Sequence, residues 1–207
     1  MQDGSLRLKI VQTGEPVLRR MARPITRQEI STGEIQRLIH MMRNTMRDAP
    51  GVGLAAPQVG VPLQLAVIED REEYTRELSP EARAERGREP VPFHVIINPE
   101  LTLDGGAPVE FYEGCLSVPG FSAIVPRARS VAVHCLDEWG KEKVIRAEGW
   151  YARILQHEID HLHGTLYIDR MITRSFTTLD NLNRHWKALP IREVVAALEA
   201  VASVEHR

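Results

Sequence analysis

The hydrophobic positions of segment 28–47 recur at spacings of three and four residues, which is typical of one face of an α-helix. They are Ile35, Leu38, Ile39, Met42 and Met46. Pro50 and Gly51 follow directly, and this pair ends a helix because proline cannot continue one and glycine weakens it. The pattern predicts an amphipathic helix that buries one face.

Several β-rich segments follow in the middle of the chain. They are 63–70 (LQLAVIED), 93–99 (FHVIINP), 107–113, SVAVHCLD from Ser130 and KVIRAE from Lys143. Asp137, Glu138 and Gly140 supply a turn between the last two segments, so that pair is predicted to form a hairpin. The intervening segment 71–92 is charged and punctuated by proline. We expect it to be a solvated surface insertion.

The period becomes helical again after Gly149. The segment WYARILQHEIDHLH follows this glycine and Gly164 comes after it, so a glycine is placed to cap the helix at its carboxyl end. A further helix is predicted at about 190–204, with a packing role. Antiparallel strands around one central helix, with helices flanking them at both ends of the chain, predict an α+β fold.

Composition narrows the class of protein. The chain has 207 residues, of which 43% are hydrophobic and 26% charged, as in an ordinary globular protein. This length predicts one domain over residues 1–207. The net charge of −2 gives no general footprint for nucleic acid or an anionic membrane.

The cysteines and the N-terminus bear on the compartment. Cys115 and Cys135 are the only cysteines, too few to staple a fold of this size, which favours a reducing compartment. Apolar runs are far shorter than the ~20 residues that span a bilayer, and the N-terminus has no pattern of a signal or transit peptide. We therefore expect a cytosolic protein.

The sequence HEIDH at 157–161 is the strongest chemical signal. His157 and His161 lie one helical turn apart and can bind one metal ion. A helical projection places both of them, together with Glu158, in or beside the apolar stripe of the helix. Burying such groups without partners costs ~1–3 kcal/mol each, and a metal relieves that cost. The alternative is a pair of satisfied core or surface histidines.

The same projection assigns a polar face to the other side of this helix. The residues on it are Arg153, Gln156, Asp160 and His163. We expect His163 to be a surface residue. Either Arg127 or Arg129 holds Asp160, or these arginines are solvated surface charges.

A metal site of this kind needs a third protein ligand. In zinc peptidases the third ligand usually lies downstream, where the candidates are Asp169, Asp180, His185 and Glu193. Upstream, the motif EGCLS at 113–117 offers Cys115, whose thiolate completes a set of one cysteine and two histidines with a position open to water. Gly114 beside it allows close approach of another backbone. Cys135 is interpreted as a small hydrophobic core residue.

The third cluster is GVGLAAPQVG at 51–60. Its glycines and alanines permit close approach by a neighbouring segment or a substrate. Gln58 is its single polar side chain, and the cluster is either a turn between helix and strand or part of a site. Dinucleotide binding is excluded, because the spacing G-x-G-x-x-G and a preceding strand are missing.

Taken together, GVGLAAPQ, EGCLS and QHEIDH resemble, in order and spacing, the three signature motifs of the peptide deformylases. The resemblance extends from about Lys9 to about Phe176. GWYARILQHEIDHLHG is more similar to the mitochondrial-type branch, whereas the leucine of CLS is typical of bacterial members. The resemblance implies a peptide-deformylase-like fold built around the HExxH helix.

It also implies the activity and the roles of the motif residues. The activity is removal of the formyl group from N-formylmethionine at the start of new peptides. Cys115, His157 and His161 would bind the metal. Glu158 would be the general acid/base, and Gln58 with the Leu116 backbone N–H would face the formyl oxygen.

Substrate contacts follow from the same resemblance and from the helical projection. Trp150 and Ile154 share the helix face of His157, so with Val52 they are the expected lining of a methionine pocket. The peptide backbone would pair with extended segments at Val52, Gly53 and Gly114.

The resemblance further implies one divalent ion per chain. Fe²⁺ is the expected physiological ion, and Zn²⁺, Ni²⁺ and Co²⁺ suit the same ligands. The expected partners are N-formylmethionyl peptides, as nascent chains at the ribosome. A homodimer is compatible with the sequence, whereas nucleic acid and membranes are not expected partners. The compartment is the bacterial cytoplasm, or an organellar matrix if a transit peptide has been removed.

Two other functions stay open at this point. A zinc endopeptidase would use HExxH with a downstream ligand and would not require Cys115. A binding module with a closed structural Zn²⁺ site would have no use for Glu158 or Gln58.

Overall fold

The computed structural model of the protein describes residues 6–76 and 78–204. The helices are α1 (Arg27–Ile30), α2 (Gly33–Asp48), α3 (Glu72–Arg76), α4 (Pro80–Arg86), α5 (Gly149–Leu162), α6 (Leu179–Asn181) and α7 (Ile191–Val204), with a π-helical turn at Leu182–Trp186. The strands are β1 (Gly53–Ala55), β2 (Leu65–Asp70), β3 (Val91–Leu103), β4 (Val109–Cys115), β5 (Val118–Arg127), β6 (Ser130–Leu136), β7 (Glu142–Glu148) and β8 (Thr177–Thr178).

Helix α2 occupies the segment in which the first helical pattern lies, but it begins later than the pattern predicts. Thr26 and Thr32 accept hydrogen bonds from backbone N–H groups three residues on, and so cap two separate helices. Glu29 completes a capping box at the first of them. Residues 28–30 therefore belong to α1, and only Gly33–Asp48 forms the long amphipathic helix.

A five-stranded antiparallel sheet in the order β1-β2-β3-β6-β7 forms the centre of the fold. Strand β2 is buried on both faces: Leu65 and Val67 pack with α2, whereas Ala66 and Ile68 pack with α5. The sheet thus lies between the two long amphipathic helices, and the α+β class with antiparallel sheets predicted from the sequence is confirmed. Helix α5 is therefore packed against one face of this sheet.

A second sheet has three strands in the order β4-β5-β8. Strand β5 was not predicted, because Pro119, Gly120 and Pro126 interrupt its sequence with residues that normally end strands. Strand β4 is at the edge of this sheet, and β1 is at the edge of the first one. Pocket-lining residues Gly53 of β1 and Gly114 of β4 bring the two edge strands to the same cavity.

The charged segment 71–92 does not behave as a solvated insertion throughout. Arg88 near its end donates two hydrogen bonds to the fully buried carboxylate of Asp70, at 2.7 and 2.9 Å. Gly87 lies against Gly149 at the start of α5, where a Cβ would stand 2.6 Å from the Gly87 carbonyl oxygen. The end of the segment is therefore anchored to the helix that carries the two histidines, and the expectation was wrong there.

The C-terminal part of the chain folds back on the core. The predicted helix at 190–204 is confirmed as α7, and Val194 on it is buried. Over residues 6–76 and 78–204, no helix combines the length and the apolar character needed to cross a membrane.

Candidate active site

Helix α5 presents both histidines of HEIDH toward the end of strand β4. Gly149 at its first position has a φ of +59°, and Gly164 after its last turn has a φ of +72°. At both positions an added Cβ would stand under 3 Å from the backbone of a neighbouring segment. The two glycines therefore let the helix ends approach other chain segments closely, which fixes where α5 lies.

The side chains of Cys115, His157 and His161 converge on one point. Their ligand atoms all lie within 4.8 Å of one another. The Cys115 Sγ is 3.3 Å from Nε2 of His161. Among the described residues, this is the one group of three or more His, Cys, Asp or Glu side chains that could hold a metal ion. The sequence prediction thus selected residues that the fold brings together, whereas Cys135 is buried in the apolar core beside α5.

The downstream ligand candidates of the peptidase alternative do not join this cluster. Asp169 caps its own turn by accepting a hydrogen bond from the Leu166 N–H and pairs with Arg19. The fold therefore favours the upstream Cys115 as the companion of the two histidines.

A buried carboxylate behind the cluster holds one of the histidines. Glu113 Oε2 is 2.9 Å from Nδ1 of His157, and Glu113 also accepts two hydrogen bonds from Arg127 and one of 2.6 Å from Arg153. Burial raises the pKa of Glu113, but the hydrogen bonds from Arg127 and His157 outweigh it and hold the pKa far below its usual range. Glu113 thus leaves Nε2 of His157 to face Cys115 and fixes the orientation of the ring.

Glu113 lies within the motif EGCLS, but no role was predicted for it. Its signal was its place on a strand two residues before Cys115. Glu113 and Arg127 lie 14 residues apart in sequence, on paired strands. Such a distant partner is invisible to a local pattern.

The polar face assigned to α5 is also wrong for three of its four residues. Arg153, Gln156 and Asp160 are buried. Asp160 accepts a 2.6 Å hydrogen bond from Arg127 and two of 2.7 Å from Arg170. Of the two arginines proposed from the sequence, Arg127 therefore contacts Asp160, whereas Arg129 is exposed. His163 is exposed as expected.

Glu158 lies beside the cluster without a counter-charge in contact. Its Oε2 is buried and has no hydrogen-bond partner among the described residues. Burial raises its pKa to about 7. A carboxyl group with such a pKa can take up and release a proton near neutral pH.

Strand β1 approaches the side chain of Glu158 closely at Gly53. A Cβ on Gly53 would lie 2.2 Å from Oε1 of Glu158. Only a residue without a side chain leaves room for the carboxyl group. Gly53 was predicted as a substrate contact, and the fold gives it this additional steric role.

Gln58 is fully buried in a short turn that follows β1. Its Oε1 accepts the Ala55 N–H at 2.9 Å, which leaves the amide nitrogen pointing the other way. Nε2 lies 3.4 Å from Cys115 Sγ and 3.3 Å from Ser117 Oγ. The amide therefore presents a fixed N–H donor to the cluster.

A cavity of about 460 Å³ opens over these groups. All of the predicted substrate contacts line it: Val52, Gly53, Gly114, Trp150 and Ile154. Leu116, Gln58, Glu158, Cys115 and His157 line it as well. Phe121 and Leu179, two exposed apolar residues that also line the cavity, were not predicted as part of the site. Phe121 stacks on Phe176 at 5.0 Å between ring centroids.

Over most of its length the chain is similar to proteins of one family. The sequence model of the family described as polypeptide deformylase matches residues 7–176. The chloroplastic peptide deformylase 1A of Solanum lycopersicum is 48% identical over 174 residues, which cover 84% of this chain and 63% of that protein. The mitochondrial peptide deformylase of Homo sapiens is 46% identical over 170 residues, covering 82% and 70%. The chain therefore spans less than two thirds of the tomato relative's length.

A solved structure is similar to the fold as well. The class I type b peptide deformylase from Acinetobacter baumannii, with Met-Ala-Ser bound, has a TM-score of 0.71 and 31% identity, over 81% of this chain and 99% of that one. The family match ends at Phe176, so α6, the π-helical turn and α7 lie outside it.

Proposed function

The chain belongs to the polypeptide deformylase family, and we propose that it removes the formyl group from the N-terminal formylmethionine of new peptides and releases formate. The observation that carries the proposal is the convergence of Cys115, His157 and His161. Cys115 and His157 line one cavity together with Glu158 and Gln58. One water is consumed: its oxygen ends on the formyl carbon, the C–N bond breaks, and the amine nitrogen gains a proton.

The donor set fits a divalent metal ion. One thiolate and two imidazoles suit Fe²⁺, Zn²⁺, Ni²⁺ and Co²⁺, and Glu113 provides the hydrogen bond that ligating histidines commonly make. When bound, the ion supplies Lewis acidity for the activation of water. We propose Fe²⁺ as the physiological ion, since this is what the resemblance to the family implies.

Glu158 is the group that we assign to proton transfer. Its pKa of about 7, raised by burial, lets it accept the proton of the attacking water and donate one to the leaving amine. Because no arginine or lysine among the described residues donates a hydrogen bond to its Oε2, the carboxyl group is not locked in its charged form.

Gln58 and Leu116 supply hydrogen-bond donors for the formyl oxygen. The Gln58 amide is held in place by the Ala55 N–H, so Nε2 needs no reorganisation when negative charge develops. Leu116 follows Cys115 in the chain, and both residues line the cavity. Each such donor contributes roughly 3 kcal/mol to the stabilisation of an oxyanion.

Substrate binding uses the two edge strands. The outer edges of β1 and β4 offer backbone groups at Gly53 and Gly114 to an extended peptide, and Val52, directly before β1, lines the same cavity. Trp150 and Ile154 line the apolar part of the cavity, which suits an unbranched methionine side chain. The bound Met-Ala-Ser in the related Acinetobacter baumannii structure supports such a peptide as the ligand.

The cellular setting is inferred from the relatives, which include chloroplastic and mitochondrial proteins. We propose a bacterial cytoplasm or an organellar matrix, with nascent chains as substrates and residues 1–207 acting as one domain.

Formate release is the direct test of the activity. Fe²⁺- or Ni²⁺-loaded protein should release formate from formyl-Met-Ala-Ser and should leave acetyl-Met-Ala-Ser intact. Cleavage of internal peptide bonds without formate release would instead favour the zinc endopeptidase.

A further inference from the structure

A second cavity of about 240 Å³ adjoins the reaction cavity. Tyr112 and Trp150 line both of them. Its remaining walls come from α4, from β4 and β5, and from the C-terminal segment that lies outside the family match, and they include Glu85, Arg86, Phe111, Lys187 and Ile191. The family core and a segment beyond the family match therefore form this cavity together.

The cavity combines an apolar body with positive charge. The guanidinium carbon of Arg86 lies 5.7 Å from the Trp150 ring centroid and 5.9 Å from that of Phe111. In the part of the chain that the structure describes, no carboxylate forms an ion pair with Arg86, and its buried Nε has no hydrogen-bond partner. Lys187 adds a second cation to the lining.

Glu85 is a carboxylate residue that lines the same cavity next to Arg86, and one of its oxygens is hydrogen-bonded elsewhere. Glu85 exerts a favourable charge effect on Arg86, but its Oε1 accepts the Ile191 N–H at 3.3 Å. Burial and the charge of Arg88 lower the pKa of Arg86. A half-buried guanidinium without a contacting counter-ion is costly, and an anionic ligand group would remove that cost.

The position of the cavity indicates where the anion comes from. A peptide that follows the free edge of β4 away from the reacting centre, with its methionine opposite Gly114, places its third and fourth residues opposite Tyr112 and Phe111. Those two residues line the second cavity. Successive side chains of an extended peptide point to opposite sides, so one of the two positions faces the cavity.

We propose that this cavity is a substrate subsite in which Arg86 and Lys187 bind an acidic side chain at the third or fourth residue of the formylated peptide. The proposal rests on the proposed deformylase function. It makes the C-terminal segment a determinant of which nascent peptides are processed most efficiently.

Matched peptide amides test the subsite, because amidation removes the terminal carboxylate as a second source of negative charge. The substrates are formyl-Met-Ala-Glu-Ala-amide and formyl-Met-Ala-Ala-Glu-amide, each with its glutamine counterpart. At one of the two positions, glutamate should raise kcat/KM about five- to tenfold over glutamine, mainly through a lower KM. The preference should decline with added salt.

Variants then assign the effect. Arg86→Met keeps the apolar contacts with Trp150 and Phe111 and should abolish the preference, whereas Arg86→Lys should retain part of it. Arg83→Met is the matched control on the same helix, because Arg83 pairs with Glu89 and does not line the cavity. Lys187 is exposed, so Lys187→Met keeps the fold and should reduce the preference about twofold.

A glutamate-to-glutamine ratio near one at both positions overturns the proposal, as does a ratio that Arg86→Met and Lys187→Met leave unchanged. Calorimetry with the unreactive acetyl-Met forms of the same amides measures the preference without turnover, and equal affinities for glutamate and glutamine also overturn it. Failure of the deformylase function is distinct: formyl-Met-Ala-Ser would release no formate.

Discussion

Gly53 and Glu158 approach each other so closely that a Cβ added to Gly53 would clash with the Glu158 carboxyl group. A Cβ on Gly53 would lie 2.2 Å from Oε1 and 2.5 Å from the carboxyl carbon of Glu158. The edge strand β1 therefore restricts the position of the Glu158 carboxyl group on helix α5. This contact couples the glycine-rich motif to the HEIDH motif in a way that neither sequence shows by itself.

Gly53→Ala should lower kcat about 100-fold, because displacement of a reacting group by about 1 Å has an effect of this size. Metal content should remain normal, since Gly53 touches none of the three proposed ligands. Gly105→Ala is the control, because a Cβ there meets nothing within 4 Å. Full activity of Gly53→Ala would show that the position of Glu158 is not critical.

Glu158→Gln should retain metal and thermal stability while activity falls by about 10² to 10⁴, the range of general acid/base catalysis. The glutamine keeps the size of the side chain and removes the proton acceptor. Metal content and turnover are measured on one preparation. Loss of the metal would make Glu158 a ligand, and an active variant would mean that no protein base is needed.

Gln58→Leu should keep the metal and lower kcat/KM by about 10² or more, because one fixed donor to the developing charge is lost. Wild-type kinetics in this variant would reduce Gln58 to a structural residue. A thermal melt distinguishes this loss from unfolding, since Oε1 also accepts the Ala55 N–H.

Glu113→Gln should destabilise the fold by about 3–5 kcal/mol, because it leaves buried Arg153 without a carboxylate and leaves buried Arg127 with Asp160 alone. Metal affinity should also fall about 10- to 100-fold, because an amide oxygen is a weaker acceptor than the carboxylate for the His157 Nδ1–H. Glu142→Gln is the control: its ion pair with Arg27 is exposed, so its removal should cost less than about 1 kcal/mol. Equal effects of the two changes on denaturant unfolding would contradict this account of Glu113.

The sequence predicts those parts of the fold whose signal is local. Helices α2 and α5 follow from the spacing of their apolar residues, and β6 and β7 follow from their pattern and from the turn at 137–140. Strand β5 was missed because its prolines and glycine obscure the pattern. The order and spacing of the three motifs led to Cys115, His157 and His161, which the fold brings together.

The burial of Arg153 and Asp160 could not be predicted in the same way. A helical projection assigns charged residues to solvent, whereas here Glu113 and Arg127 neutralise them from strands β4 and β5. The second cavity escaped prediction for a similar reason: its walls come from four parts of the chain that are distant in sequence.

The central claim is that activity depends on a metal held by Cys115, His157 and His161. Its most direct test is metal content and formate release, measured together on wild type, Cys115→Ala and Cys135→Ala. Since three protein ligands leave no redundancy, Cys115→Ala should lose tight metal binding and formate release together, and Cys135→Ala should keep both. A Cys115→Ala protein with full metal occupancy and normal turnover would contradict the account.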